Sequence, residues 1–214
     1  MKILVLSGEN HGFEQSAEVI CEILNTADGL DAQLETDKDI LAASAFEKFD
    51  VCVFGTGFTR TRQDPKEGLV REPDLTSTQE NGLFNYVANG KGLVGVHGTA
   101  WWINARAVEL IGGHANWHPP GLTFTVSIEN NSHPVTQGLT DFEVTDEIYM
   151  SAWDPCIQIL ATAEWSEKHH PVAWVKPYKA GRVFYTALGH TADTFQRPPM
   201  QTLMIQGVCW AGSN

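Results

Sequence analysis

The stretch Gly92-Leu93-Val94-Gly95-Val96-His97-Gly98-Thr99 decides how this chain is read. Its first five residues are apolar without alternation, as expected of a strand buried on both faces. The run stops at His97, between small neighbours. A strand that ends this way and turns into a helix has the geometry of a nucleophile elbow, where small residues permit a sharp turn. The apex here is His97 rather than Ser or Cys. An imidazole in that place can serve as a metal ligand, a general base or a hydrogen-bond donor to a substrate oxygen; the bland alternative is a histidine that caps the helix or is satisfied in the core.

The pattern repeats outward from this stretch. Residues 2–7 form a second wholly apolar run, ending at Ser7-Gly8, and residues 32–36 and 50–55 read as further strands. Helical spacing covers 14–28, with Ala17, Ile20, Cys21 and Leu24 on one face, and then 78–89 and 100–111, the last stopping at Gly112-Gly113. Alternating apolar strands and helices predict an α/β fold with a mostly parallel sheet and helices on both faces. In the second half, 122–129, 157–163, 172–176 and 182–187 are strand-like with few helices between them. They are expected to extend the sheet, some antiparallel, before a final helix over 199–210. Residues 56–77 show no period and carry Arg60, Arg62, Lys66 and Arg71, which suggests an insertion loop over one end of the sheet or an oligomer contact. No linker or repeat interrupts the chain, so residues 1–214 are expected to form one domain.

Composition narrows the partners. Fourteen Lys and Arg stand against 26 Asp and Glu, a formal net charge of −12. Neither nucleic acid nor an anionic membrane is an expected partner, because both need clustered positive charge. Cys21, Cys52, Cys156 and Cys209 have no C-x-x-C spacing and read as free thiols, with Cys21, Cys52 and Cys209 in apolar runs. The first apolar run is too short for a secretory signal and no stretch approaches membrane-spanning length. A reducing cytoplasm is the expected location.

In an open parallel sheet, ligands gather at the carboxyl ends of the strands. Glu9, Asn10 and His11 follow the first strand, His97 ends the fourth, and Gly189-His190 follow the strand at 182–187. Three strand ends thus deliver a histidine to one edge. The segment Gly112-Gly113-His114-Ala115-Asn116-Trp117-His118-Pro119-Pro120 is read as a rigid loop, with His114 favoured for function, His118 even, and Trp117 a platform for a sugar ring. Asp146-Glu147-Ile148-Tyr149 offers carboxylates that complete a metal site or orient an imidazole, although an Asp-Glu pair alone is usually a solvated turn. His133 and the pair His169-His170 read as surface residues.

Together these segments resemble a known family. Gly8-Glu9-Asn10-His11, Gly92 to His97, Gly112-Gly113-His114, His133-Pro134-Val135, Asp146 to Tyr149 and Gly181 to His190 are similar to the ThuA-like (trehalose utilisation) proteins. The resemblance implies a single-domain, flavodoxin-like, doubly wound sheet of the class I glutamine amidotransferase type. It also implies a role in sugar catabolism, often of disaccharides through keto-sugar intermediates. Its amidotransferase relatives carry a cysteine where His97 stands and a histidine where His190 falls, and no cysteine here occupies an elbow, so glutamine hydrolysis through a thioester is not expected.

Two functional readings follow. In the first, a divalent metal, zinc foremost, sits on His11, His97, His114 and His190. His97, Glu147 and His190 then act on a sugar carbonyl by proton transfer or hydrolysis, with Glu9, Asn10, Trp117 and Tyr149 holding the substrate. No organic cofactor is expected. The partners are a small-molecule carbohydrate, a second copy of the chain in a homo-oligomer, and a sugar dehydrogenase. In the second reading the chain is a non-catalytic carbohydrate-binding or accessory subunit, with Trp101, Trp102, Trp117 and Trp153 stacking on sugar rings.

Overall fold

The computed structural model describes residues 1–8, 13–55, 58–102 and 105–213. Five parallel strands form one half of a nine-stranded sheet: β1 (Lys2–Leu6), β2 (Asp31–Glu35), β3 (Val51–Phe54), β6 (Gly92–Val96) and β13 (Gly181–Thr186), in the order β2-β1-β3-β6-β13. The other half is antiparallel and continues from β13 through β12 (Lys168–Tyr178), β11 (Gln158–Trp165), β8 (Leu122–Ile128) and β9 (Phe142–Asp146). The expected α/β class with antiparallel strands added in the second half is what the chain forms.

The continuous apolar runs are explained by two cores that share the strands. Ile3, Val5, Val51, Val53, Val94 and Phe184 face α1 (Phe13–Asn25) and α4 (Pro198–Gly212). Their neighbours Leu4, Leu6, Cys52, Phe54, Leu93 and Val183 face α2 (Ser77–Ala88) and α3 (Ala105–Ile111). Successive side chains of a strand point to opposite faces, so a strand with a core on each side tolerates no polar position. Gly207 lets α4 lie against this sheet, since a Cβ there would fall 2.2 Å from the Phe184 ring.

Local chemistry sets the helix ends. Thr76 caps α2, its hydroxyl accepting from the Gln79 N–H while Gln79 Oε1 accepts from the Thr76 N–H at 2.7 Å. Helix α1 stops at Asn25, short of the expected 28. The Asn25 side chain accepts from the Ala32 N–H at 2.9 Å and donates to the Ala32 carbonyl at 3.1 Å, tying the helix end to β2.

Four expectations need correction. The helix expected over 100–111 is a 3-10 turn at His97–Trp101 followed by the shorter α3. The rigid loop around His114 is strand β7 (Gly113–Trp117), paired antiparallel with β10 (Met150–Trp153), an element with no period of its own. Most of residues 56–77 form a regular hairpin of β4 (Thr59–Asp64) and β5 (Gly68–Pro73), its charges engaged in pairs such as Arg60–Glu72 at 2.7 Å. His169 and His170 lie inside β12, not before it. Among the described residues no helix is long and apolar enough to cross a membrane.

Candidate active site

The site is built from two adjacent parallel strands and one connection. Strand β6 ends at His97, whose φ of 39° lies in the left-handed region, as the sharp turn of an elbow requires. That conformation is uncommon for a side chain with a Cβ and is held by surrounding bonds. Tyr185 donates to the His97 carbonyl at 2.9 Å, and Thr99 Oγ1 bonds to the carbonyls of Phe54 (2.7 Å) and Val96 (2.9 Å). The apex is not exposed: His97 is 2% accessible.

Strand β13, next to β6, is followed three residues on by Gly189-His190. Gly189 has φ 117°, and a Cβ there would lie 2.6 Å from the Phe195 ring, so only glycine makes this turn. The turn aims its amides at Asp146, the last residue of β9. Asp146 is buried and accepts from Gly189 N (2.8 Å), His190 N (3.2 Å), Glu147 N (2.8 Å) and Thr194 Oγ1 (2.7 Å). One carboxylate thus fixes both His190 and Glu147, so the pair is not the solvated turn that was the bland alternative for it.

Glu147 to Tyr149 connect β9 to β10. Because β10 runs antiparallel to β7, with Met150 opposite Trp117, the start of β10 lies beside the end of β7. Tyr149 and His118 therefore meet, their ring centroids 5.6 Å apart.

The tautomer of His97 follows from its neighbours. Nδ1 lies 2.7 Å from the Ala187 carbonyl, which only accepts, so Nδ1 carries the proton and Nε2 presents its lone pair. Nε2 lies 2.5 Å from Tyr149 Oη, 3.2 Å from His190 Nδ1 and 3.5 Å from Glu147 Oε2. His190 Nδ1 is 3.4 Å from the same Glu147 oxygen, and His118 Nδ1 is 3.5 Å from the other. Burial raises the pKa of Glu147, but its contact with His97 and the imidazoles of His97, His190 and His118 more than offset this, so the carboxyl titrates below its usual value. Burial, helped by Tyr185 and Glu147, holds the Tyr149 hydroxyl well above the usual phenol range, so Tyr149 is a donor here.

His97, Glu147 and His190 place their ligand atoms within 4.8 Å of one another. The closest separations, 3.2, 3.4 and 3.5 Å, match the edge of a tetrahedron around zinc, about 3.3 Å for bonds of ~2.05 Å.

The remaining expected residues lie as follows. Glu9, Asn10 and His11 lie outside the described residues. His114 sits on β7 opposite Ala152 and is not in the His97–Glu147–His190 group. Trp117 stands 54% exposed at the end of β7. Tyr149 is buried and bonded to His97. Trp102 is fully buried against Phe54 and Phe84 and offers no stacking surface, whereas Trp101 is half-buried beside the Tyr149 and His118 rings. Sequence reasoning underrated His118 and missed the organising part of Asp146. The two prolines after His118 were the available sign that its position is fixed. His133 behaves as a turn residue, its Nδ1 accepting from the Val135 N–H at 3.2 Å.

Comparison with known proteins agrees with this architecture. The family model for ThuA, described as trehalose utilisation, matches residues 2–211. No curated protein matches the chain. Among solved structures it is similar to a ThuA-like protein from Parabacteroides merdae (19% identity, TM-score 0.77, 99% of this chain and 89% of that one). A ThuA-like protein from Bacteroides uniformis is comparable (20% identity, TM-score 0.78, 99% and 91%). The carbohydrate deacetylase Agd3 is also similar (16% identity, TM-score 0.67), with 96% of this chain covered but 32% of that one.

Proposed function

The chain belongs to the ThuA trehalose-utilisation family, and on that footing we propose that it is a metal-assisted enzyme acting on a keto-sugar or disaccharide derivative. Family membership supports a role in sugar catabolism, and the spacing of His97 Nε2, His190 Nδ1 and Glu147 Oε2 is the observation that carries the chemistry. Two imidazoles and a carboxylate form a donor set suited to zinc with one coordination position left open. A cation there would polarise a sugar carbonyl. His97 holds its lone pair toward that point because Ala187 fixes its other nitrogen. Glu147, whose pKa is lowered by its imidazole neighbours, would take the α-proton or the proton of a water through Oε1, the oxygen outside the ligand set, and His190 would serve as a ligand only.

The scaffold supports the same reading. We read the strand order β2-β1-β3-β6-β13, with helices on both faces, as the flavodoxin-like order that the resemblance to class I glutamine amidotransferases implies. His97 takes the elbow held there by a cysteine. Cys52 is fully buried and burial pushes its thiol far upward, so it supplies no thiolate.

One observation favours a second reading, in which the chain binds carbohydrate without catalysis. Tyr149 donates to the very lone pair a cation would use, so the imidazole is satisfied without metal. Elemental analysis of untagged protein decides between them, alongside mass spectrometry of products from 3-keto-disaccharides and simple ketoses. About one equivalent of metal, lost in Glu147→Gln together with turnover, is the expected result. Metal-free protein that binds sugar and turns nothing over would establish the second reading.

A further inference from the structure

A groove of about 510 Å3 lies on the antiparallel half of the sheet, over β11 and β12. Strand β11 is three strands from β6, about 14 Å at ~4.8 Å per strand, so the groove is separate from the His97 site. Thr162 and Pro171 line it from directly opposite positions of the β11–β12 ladder, while their neighbours Ala163 and Val172 point the other way, into the core. The register of the two strands slips on either side of Ala161. Such breaks let a proline stand inside a sheet and re-aim the side chains beside it. Trp153, at the end of β10 and 42% exposed, lines the groove with Ile159. The volume suits a small molecule.

Charge decides which one. Thr162 is buried and its hydroxyl donates to Glu129 Oε1 at 2.6 Å, fixing that carboxylate at the groove. A bond of this length to an ionised acceptor is a strong one. Among the described residues Glu129 makes no ion pair, and its Oε2 accepts no hydrogen bond. No Lys or Arg is among the described lining residues. Glu164 stands opposite His169 on the ladder, on the same face as Thr162, and adds a second carboxylate at that end. The exposed indole of Trp153 has a face that attracts cations, and Ile159 and Pro171 supply apolar surface next to it.

We propose that this groove is a second binding site, for a small organic amine in its ammonium form. The ammonium pairs with Glu129 Oε2, and a short apolar stem lies along Trp153, Ile159 and Pro171. A sugar would stack on the indole but leave the carboxylate charge unmatched, and an anion would be repelled. Binding here does not depend on the chemistry at His97.

The test is titration of 15N-labelled full-length protein, at pH 7 and physiological ionic strength, with n-butylamine, n-butanol, butyrate and trehalose. The signals followed are the amides of Glu129, Thr162 and His169 and the indole N–H of Trp153. The amine, an ammonium at this pH, is expected to shift them saturably and to bind roughly tenfold more tightly than n-butanol, its neutral counterpart. Glu129→Gln is expected to weaken amine binding roughly tenfold and Trp153→Ala roughly fivefold. Trp153→Phe, which keeps an aromatic face, is expected to retain most of it and serves as the readout should the alanine variant fail to fold. His97→Ala is expected to bind the amine as the parent does, whatever happens to turnover, so the two proposals fail separately. n-Butanol binding as tightly as the amine would make the groove apolar and no more. Tighter binding of trehalose would make it a sugar platform, and an unchanged Glu129→Gln would place the ammonium elsewhere. Each of these outcomes overturns the assignment.

Discussion

Asp146 has four donors on one buried carboxylate and sits between the two halves of the site. Asparagine would keep its size but turn an amide N–H2 toward amides that also donate. Asp146→Asn is therefore expected to cost about 2–3 kcal/mol in denaturant unfolding and to displace His190. A loss below roughly 1 kcal/mol would mean the turn at Gly189 holds without it. Tyr149→Phe tests the competition for the His97 lone pair. With the donor gone, metal should bind roughly five- to tenfold more tightly, the worth of one hydrogen bond, by competition against a chelator. Weaker binding would instead make the phenol oxygen part of the metal's support.

At the scale of elements, the β7–β10 pair matters most, since it carries His118 and leads into Tyr149. Beyond its four-residue ladder it is tied to the main sheet by Lys176 of β12. Lys176 is buried, and its Nζ donates to Asp154, just after β10, and to the Glu109 carbonyl, both at 2.6 Å. The Lys176 bond lowers the Asp154 pKa from its ordinary value to about 2. A folded pKa below the unfolded one contributes stability above pH ~4, and that contribution disappears as pH falls from about 4 to 2. Asp154 is partly exposed, so solvent screening reduces the effect to about 1–2 kcal/mol. Asp154→Asn should thus be less stable than the parent by that amount at pH 7, with most of the difference gone by pH 2. A difference that persisted at pH 2 would show that packing, not charge, ties the pair down.

For the whole molecule, two cores sharing the central strands should melt as one. Phe84→Ala, on the α2 side, and Leu203→Ala, on the α4 side, are each expected to destabilise by about 2–5 kcal/mol and to shift one common transition, seen alike by calorimetry and near-ultraviolet circular dichroism. Two resolved transitions would refute the coupling. Cys52→Ala, within the same α2-side core, should cost on the order of 1 kcal/mol and leave turnover intact.

What the sequence determined by itself is the frame. A strand flanked by two cores must be apolar at every position, so residues 2–6, 51–54 and 92–96 announce a covered parallel sheet without reference to the rest of the chain. The small residues around His97 likewise announce a sharp turn, and the turn is there. Other features depended on partners far away in the chain. Residues 113–117 are bracketed by glycines and prolines and become a strand because residues 150–153 pair with them. Asp146 and Glu147 look like a solvated turn until the Gly189 amides and three imidazoles close over them. Only tertiary structure decided that His97, Glu147, His118 and His190 meet while His114 stands apart. Backbone pattern is a property of neighbours along the chain, whereas a site is made by packing that brings together residues as distant as 97 and 190.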